Sequence, residues 1–211
     1  MSSSVRVDWL EHDSDKGNHP TFLQHMPNMS VKTRRVWRRT DDFRPGTPKI
    51  EKLTEKLPAT LPSSAVLIRV RAVSLNYRDA NISYGGNPWP VTPHGIICND
   101  ACGEVIAVGE RVTSIKPGDF VGPNTDTKNV TGREVERSWL AADEDGVLAD
   151  HIVFDERILS KLPAHLTPVE ASTIPCAGVT AWSALQGMAV GQMVVIQGSR
   201  SRCHRHPFSD S

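Results

Sequence analysis

The residues whose type and spacing could do chemistry are few. Gln192-Met193-Val194-Val195-Ile196-Gln197-Gly198 reads as a buried strand running into glycine, which is how a dinucleotide-binding unit opens. In such a unit more glycines follow, letting the backbone approach a pyrophosphate while the next helix aims its N-terminus at it. Here Ser199-Arg200-Ser201-Arg202-Cys203-His204-Arg205-His206-Pro207 follows instead, with no further glycine and a proline where a helix should run. Cys98, Cys102, Cys176 and Cys203 lack C-x-x-C spacing, which argues against a disulfide framework or a zinc finger. Arg34, Arg35, Arg38 and Arg39 form a basic cluster. An edge strand or solvated face fits it, with anion binding as the alternative.

Bulk composition narrows the partners. Of 211 residues, 38% are hydrophobic and 23% charged, ordinary for a globular chain. Lys plus Arg and Asp plus Glu number 24 each, so net charge makes no case for nucleic acid. No apolar run approaches the ~20 residues that a membrane helix needs. The N-terminus has no apolar core behind a positive segment, unlike a signal peptide. A reduced, cytoplasmic protein is expected.

The elements that must position the chemistry are mostly short strands. Residues 1–33 carry polar side chains with little periodicity and are expected to be a disordered extension. Val66, Ile68, Val70 and Ala72 alternate with Leu67, Arg69, Arg71 and Val73, the period of a half-buried strand. Gly103 to Gly109 bounds a second strand, Phe120-Val121 resumes extended chain, and Leu148–Phe154 and Ile158–Leu162 read as two more. Lys116-Pro117-Gly118-Asp119 is a turn in which glycine accepts a positive φ. The long polar loop from Pro123 to Asp145 is either a substrate-site lid or a simple insertion. At Thr167-Pro168-Val169-Glu170 the pattern becomes helical, with a capping residue, proline at the first position and Glu three residues on. Pro175 interrupts that helix, and a second helical stretch spans about Val179 to Leu185.

Several motifs occur in a telling order. They are Asn76-Tyr77-Arg78-Asp79, Pro93-His94-Gly95, Asn99-Asp100-Ala101-Cys102-Gly103-Glu104-Val105, Val108-Gly109, Lys116-Pro117-Gly118-Asp119 and Pro175-Cys176-Ala177-Gly178-Val179-Thr180-Ala181-Trp182. Together they resemble the medium-chain dehydrogenase/reductase superfamily of zinc-type alcohol dehydrogenase-like proteins, and within it the quinone-oxidoreductase-like branch. The resemblance covers about Val36 to Gly198. It implies a mainly β chain with an α/β start. A GroES-like catalytic domain over residues 34–166 would be followed by an incomplete Rossmann domain over 167–198, leaving a non-family tail over 199–211.

The resemblance also implies chemistry: hydride transfer between NADP or NAD and a carbonyl, alcohol, quinone or activated alkene. It further implies a small-molecule substrate and a homodimer in full-length relatives. Zinc-dependent members hold the metal through Cys, His and Cys, and those positions fall here on Asn76, Asn99 and Cys176. A neutral amide is a poor zinc donor, so the degenerate set argues against a metal, with Asp100 at the nearby acidic position and His94 read as a loop histidine. Without zinc, a carbonyl must be polarised by hydrogen-bond donors, for which Asn76 and Tyr77 are the candidates; the Tyr77 phenol could also supply a proton. The cofactor-binding candidates are Asn76, Thr180 and Gly198. Gly103 and Gly109 read as backbone devices, and Trp89 and Trp182 as core or cleft wall. The alternative is a truncated, non-catalytic fragment that binds no cofactor.

Overall fold

A computed structural model describes residues 3–5, 31–40, 50–189 and 191–195. Its centre is the long strand β4 (Ala65–Leu75). β1 (Ser3–Val5) and β7 (His151–Asp155) share one edge of β4, pairing with its end and its start, while β5 (Asp100–Val108) takes the other edge. β6 (Phe120–Pro123) and β8 (Leu159–Lys161) extend the sheet beyond β5, and every pairing is antiparallel. A separate hairpin, β2 (Thr33–Arg39) with β3 (Ile50–Lys56), lies against this sheet through the bridges Val36↔Ala149 and Arg38↔Ile96. The 1–33 segment, expected to be disordered, thus contributes β1 and the first residue of β2.

β4 departs from simple alternation. Leu67 and Val73, expected on an outer face, are each 1% exposed. Register shifts against β5 between Leu67 and Ile68, and between Val70 and Ala72, turn the strand; an extra residue at a bulge re-aims the side chains beyond it. Val73 then joins the main core with Val36, Ile68, Val121 and Ile152, while Leu67 packs with Leu57 on the opposite face. A bulge depends on the partner strand's register, so β4 alone could not reveal it.

The charged edge is neutralised within the fold. Arg38 grips Asp145 with two nitrogens at 2.8 and 2.9 Å and also holds Glu55, which Arg34 contacts at 2.9 Å. Arg35 reaches Asp150 at 2.9 Å, and Arg39 donates to the Thr92 carbonyl at 3.2 Å. The basic cluster is therefore the edge-strand face of the hairpin, cross-linked to its neighbours. Paired Arg38 and Arg34 hold the Glu55 carboxyl below its usual range.

Local signals of the helical region are realised. The Thr167 hydroxyl accepts from the Glu170 N–H at 3.3 Å, and the Glu170 carboxylate accepts from the Thr167 N–H at 2.9 Å. This capping box opens only a short helix, Pro168–Ala171, and a π-helical turn, Ile174–Gly178, carries Pro175. A further helix covers Val179–Ala184. The expected strand over Gln192–Gly198 is not formed at residues 192–195, and its last three residues lie outside the described ones. A strand needs ladder partners to persist, and none pairs with 192–195. Met193 and Val195 are 90% and 84% exposed. Among the described residues, no helix is long and apolar enough to cross a membrane.

Gly118 takes its predicted positive φ, at 90°. Gly103 has a different task, permitting β5 to lie close on β4: a Cβ there would sit 2.3 Å from Ile68 Cγ2 and 2.8 Å from the Arg69 carbonyl oxygen. Gly103→Ala is expected to destabilise the fold by ~1–3 kcal/mol, the usual cost of overpacking. Denaturant unfolding checks this; an unchanged midpoint would show that β5 can move away freely.

Candidate functional site

The end of β4 delivers the chain into a short helix, α1 (Tyr77–Ser83), whose N-cap is Asn76. The Asp79 carboxylate turns back to accept the Asn76 backbone N–H at 2.7 Å, closing the first turn. β5 begins beside it at Asp100, a fully buried carboxylate. Asp100 accepts the Asn76 side-chain amide at 3.4 Å and the backbone N–H groups of Cys176 and Ala177, each at 3.1 Å. Three segments distant in sequence therefore meet at one side chain.

The positions expected, by resemblance, to correspond to zinc ligands fare differently. Asn76 is turned to Asp100, and Asn99, 1% exposed, donates its amide to Thr125 Oγ1 at 3.1 Å. Cys176 enters the cluster through its backbone. A catalytic zinc needs three protein ligands of thiolate, imidazole or carboxylate type. Two amides and one thiol do not fit that requirement, and among the described residues no three His, Cys, Asp or Glu side chains are grouped to hold a metal.

Other candidates lie apart. Tyr77 is 86% exposed at the start of α1, and Thr180 is exposed on the Val179–Ala184 helix. Gly198 lies outside the described residues. Trp182 is also exposed rather than core, and Trp89 is a half-exposed cavity wall. His94, with φ of 52°, approaches the Arg39 carbonyl through Nδ1 at 3.3 Å, consistent with a loop role.

Two neighbours of the site were not singled out by sequence. Cys98, buried and at a positive φ of 67°, lies against Asp79. Arg78 is partly buried: its Nη2 donates to the Leu140 carbonyl at 2.8 Å, and its guanidinium carbon lies 5.7 Å from the Trp139 ring. Arg78 Nε and Nη1 are buried without a hydrogen-bond acceptor, and an indole face is the group they have instead. Nothing local marks this arginine as inward-facing, because charged residues are ordinarily exposed. The partner that buries it belongs to the long loop, which Asp126 organises by accepting from the N–H groups of Lys128, Asn129 and Ser138.

With this geometry in view, residues 62–164 match the alcohol dehydrogenase GroES-like domain family. The chain belongs to the medium-chain dehydrogenase/reductase superfamily. A zinc-type alcohol dehydrogenase-like protein of Schizosaccharomyces pombe is 34% identical over 135 residues, covering 63% of this chain and 39% of that protein. A solved alcohol dehydrogenase-type protein from Sinorhizobium meliloti 1021 superposes with a TM-score of 0.64 at 32% identity, covering 74% of this chain and 47% of the other. The fold is shared with a Helicobacter pylori protein, CAD, solved with NADP(H), at a TM-score of 0.60 and 17% identity over 73% of this chain and 48% of that one. The chain thus spans less than half the length of these relatives.

Burial pushes the Asp79 carboxyl up to about 6, against the opposing pull of the Asn76 N–H and the Arg78 charge. The unfolded value is ~3.9, so folding takes up a proton at this site. The resulting stability is full below about pH 4 and is lost as pH rises through about 6. Asp79→Asn is expected to flatten the melting temperature between those limits, measured by thermal unfolding across pH; an unaltered slope would overturn the assignment. Burial likewise raises Asp100. Its two oxygens take separate N–H groups, so Asp100→Asn leaves one donor facing an amide N–H and should cost ~1–3 kcal/mol. Amide exchange at Cys176 and Ala177 should quicken in parallel.

Proposed function

We propose that this chain is the substrate-domain part of an NAD(P)H-dependent oxidoreductase of the alcohol dehydrogenase/quinone oxidoreductase type, acting without zinc on a carbonyl, quinone or activated alkene. The observation that carries this reading is the Asp100 cluster. The GroES-like fold is retained, yet of the three positions that the family resemblance assigns to zinc two carry Asn76 and Asn99 and only Cys176 keeps a ligand side chain, while Asp100 is committed to three N–H donors. A bound nicotinamide would supply or take the hydride. The chain's own residues would do the rest: the Asn76 amide, held by Asp100, offers a donor where a substrate oxygen gains charge, and the exposed Tyr77 phenol can hand over a proton. By tethering the Cys176–Ala177 turn, Asp100 also sets where the following helix and Thr180 begin.

A second reading rests on a separate observation. Residues 192–195, expected to open the cofactor-binding unit, form no strand and leave Met193 and Val195 exposed. On that reading the 211-residue chain alone binds no cofactor and does not turn over.

Two measurements test these readings. Metal analysis of the purified chain should find only traces of zinc; stoichiometric zinc would overturn the zinc-free mechanism. Titration of NADPH, followed by its fluorescence, should show no micromolar saturation, and tight saturable binding would overturn the second reading. In a cofactor-binding form carrying the rest of the domain, Asn76→Ala is expected to lower kcat by ~100-fold or more, the scale for loss of an oxyanion donor. Turnover that survives this substitution would remove Asn76 from the mechanism.

A further inference from the structure

A cavity of about 260 Å³ lies beside α1, lined by Trp89, Arg137, Trp139, Ala142 and Asp143. We propose that it is an aryl subsite, which selects substrates carrying a flat aromatic ring with a hydrogen-bond acceptor on it. The proposal deepens the oxidoreductase reading and takes from it only the word substrate; the binding itself stands on the cavity.

Its two large walls are indoles set nearly at right angles, 6.5 Å between centroids and 78° between planes. They remain 46% and 40% exposed, although tryptophan carries a large apolar surface. An aromatic ring seated in the corner they form can stack face-on with one indole and present its edge to the other, the two arrangements that ring quadrupoles favour. A saturated ring of equal size gains the apolar contact but neither quadrupole term.

The walls are held in place before any ligand arrives. Trp139 donates its backbone N–H to the Asp143 carboxylate at 2.9 Å, and its carbonyl accepts from Ala142 and Asp143 at 3.1 and 2.9 Å. The Arg78 guanidinium lies over the same indole and is itself fixed to the Leu140 carbonyl. Trp89 comes from a loop far away in sequence, yet Thr92 ties that loop to the Trp139 turn. The Thr92 N–H donates to the Ala142 carbonyl at 2.7 Å and its hydroxyl to the Asp143 carbonyl at 2.8 Å. Rigid walls reduce the ordering cost of binding.

Arg137 supplies polarity at the rim. Its Nη1 pairs with Asp126 at 3.1 Å while half of its side chain stays exposed, leaving further N–H donors for an oxygen on the ring. Arg78 couples this cavity to the site, because it lies between Tyr77 and Asp79 in α1 while its guanidinium packs on the Trp139 indole.

The test uses the full chain, labelled with nitrogen-15, and follows its five tryptophan indole signals. The probes are 4-methoxybenzyl alcohol and its saturated counterpart, 4-methoxycyclohexylmethanol, with no nicotinamide present. The aryl alcohol should shift the Trp89 and Trp139 signals saturably and bind roughly three- to tenfold more tightly than the saturated one. Trp89→Ala, on the outer loop, should abolish this preference, and Trp139→Phe should retain part of it. Arg137→Gln should weaken 4-methoxybenzyl alcohol but not benzyl alcohol. Equal affinity for the two rings, no saturable shift, or shifts confined to the other tryptophans would overturn the proposal. Failure here leaves the oxidoreductase reading standing, since that is tested with NADPH; binding here without any NADPH-dependent turnover in a cofactor-binding form would sink that reading and leave the aryl subsite.

Discussion

The Asp100 carboxylate is the junction on which the arrangement of the site depends. It stands at the first residue of β5, has no solvent exposure, and accepts hydrogen bonds from the N-cap of α1 and from two consecutive N–H groups of the π-helical turn. A buried carboxylate is costly unless its lone pairs are occupied. That requirement makes the junction specific: moving any of the three segments leaves a charged or polar group unpaired in a dry interior. The sheet therefore governs where the helical region begins, and Cys102, Leu162 and Ala171 pack the two together beside this junction.

A second set of constraints fixes the rim. Arg38 and Arg34 share Glu55 across the hairpin, and Arg38 also grips Asp145 at the end of the long loop. Arg35 reaches Asp150, next to β7. These pairs are partly exposed, and such bridges individually contribute little. Their joint effect is geometric: bidentate contacts fix register. The same loop carries Trp139, so the clamp that seats the hairpin also helps define one wall of the cavity near Arg78.

Much of the scaffold was legible from local chemistry. The Thr167–Glu170 capping box, the positive φ of Gly118 and the close approach at Gly103 each follow from a few adjacent residues or one missing side chain. The β5 strand and the break at Pro175 were legible for the same reason. The site was legible as a set of residue types: the amides of Asn76 and Asn99 and the thiol of Cys176. Which way those amides point was not. Asn76 faces Asp100 and Asn99 faces Thr125, choices made by residues more than twenty positions away. The roles of Arg78, Trp139 and Cys98 were not legible because they come from burial against loops whose path no short motif records.

The sequence by itself determined several of the secondary elements, the glycines that the sheet needs, and the residue types at Asn76, Asn99 and Cys176. These depend on periodicity, capping and side-chain chemistry, which a few neighbouring residues express. Only the tertiary structure decided that β4 is buried on both faces, that the arginine cluster is internally paired, and that residues 192–195 lie exposed rather than in a strand. Each of those outcomes is a matter of desolvation and pairing. Whether a side chain loses water, or a strand finds a ladder, depends on which distant part of the chain arrives beside it.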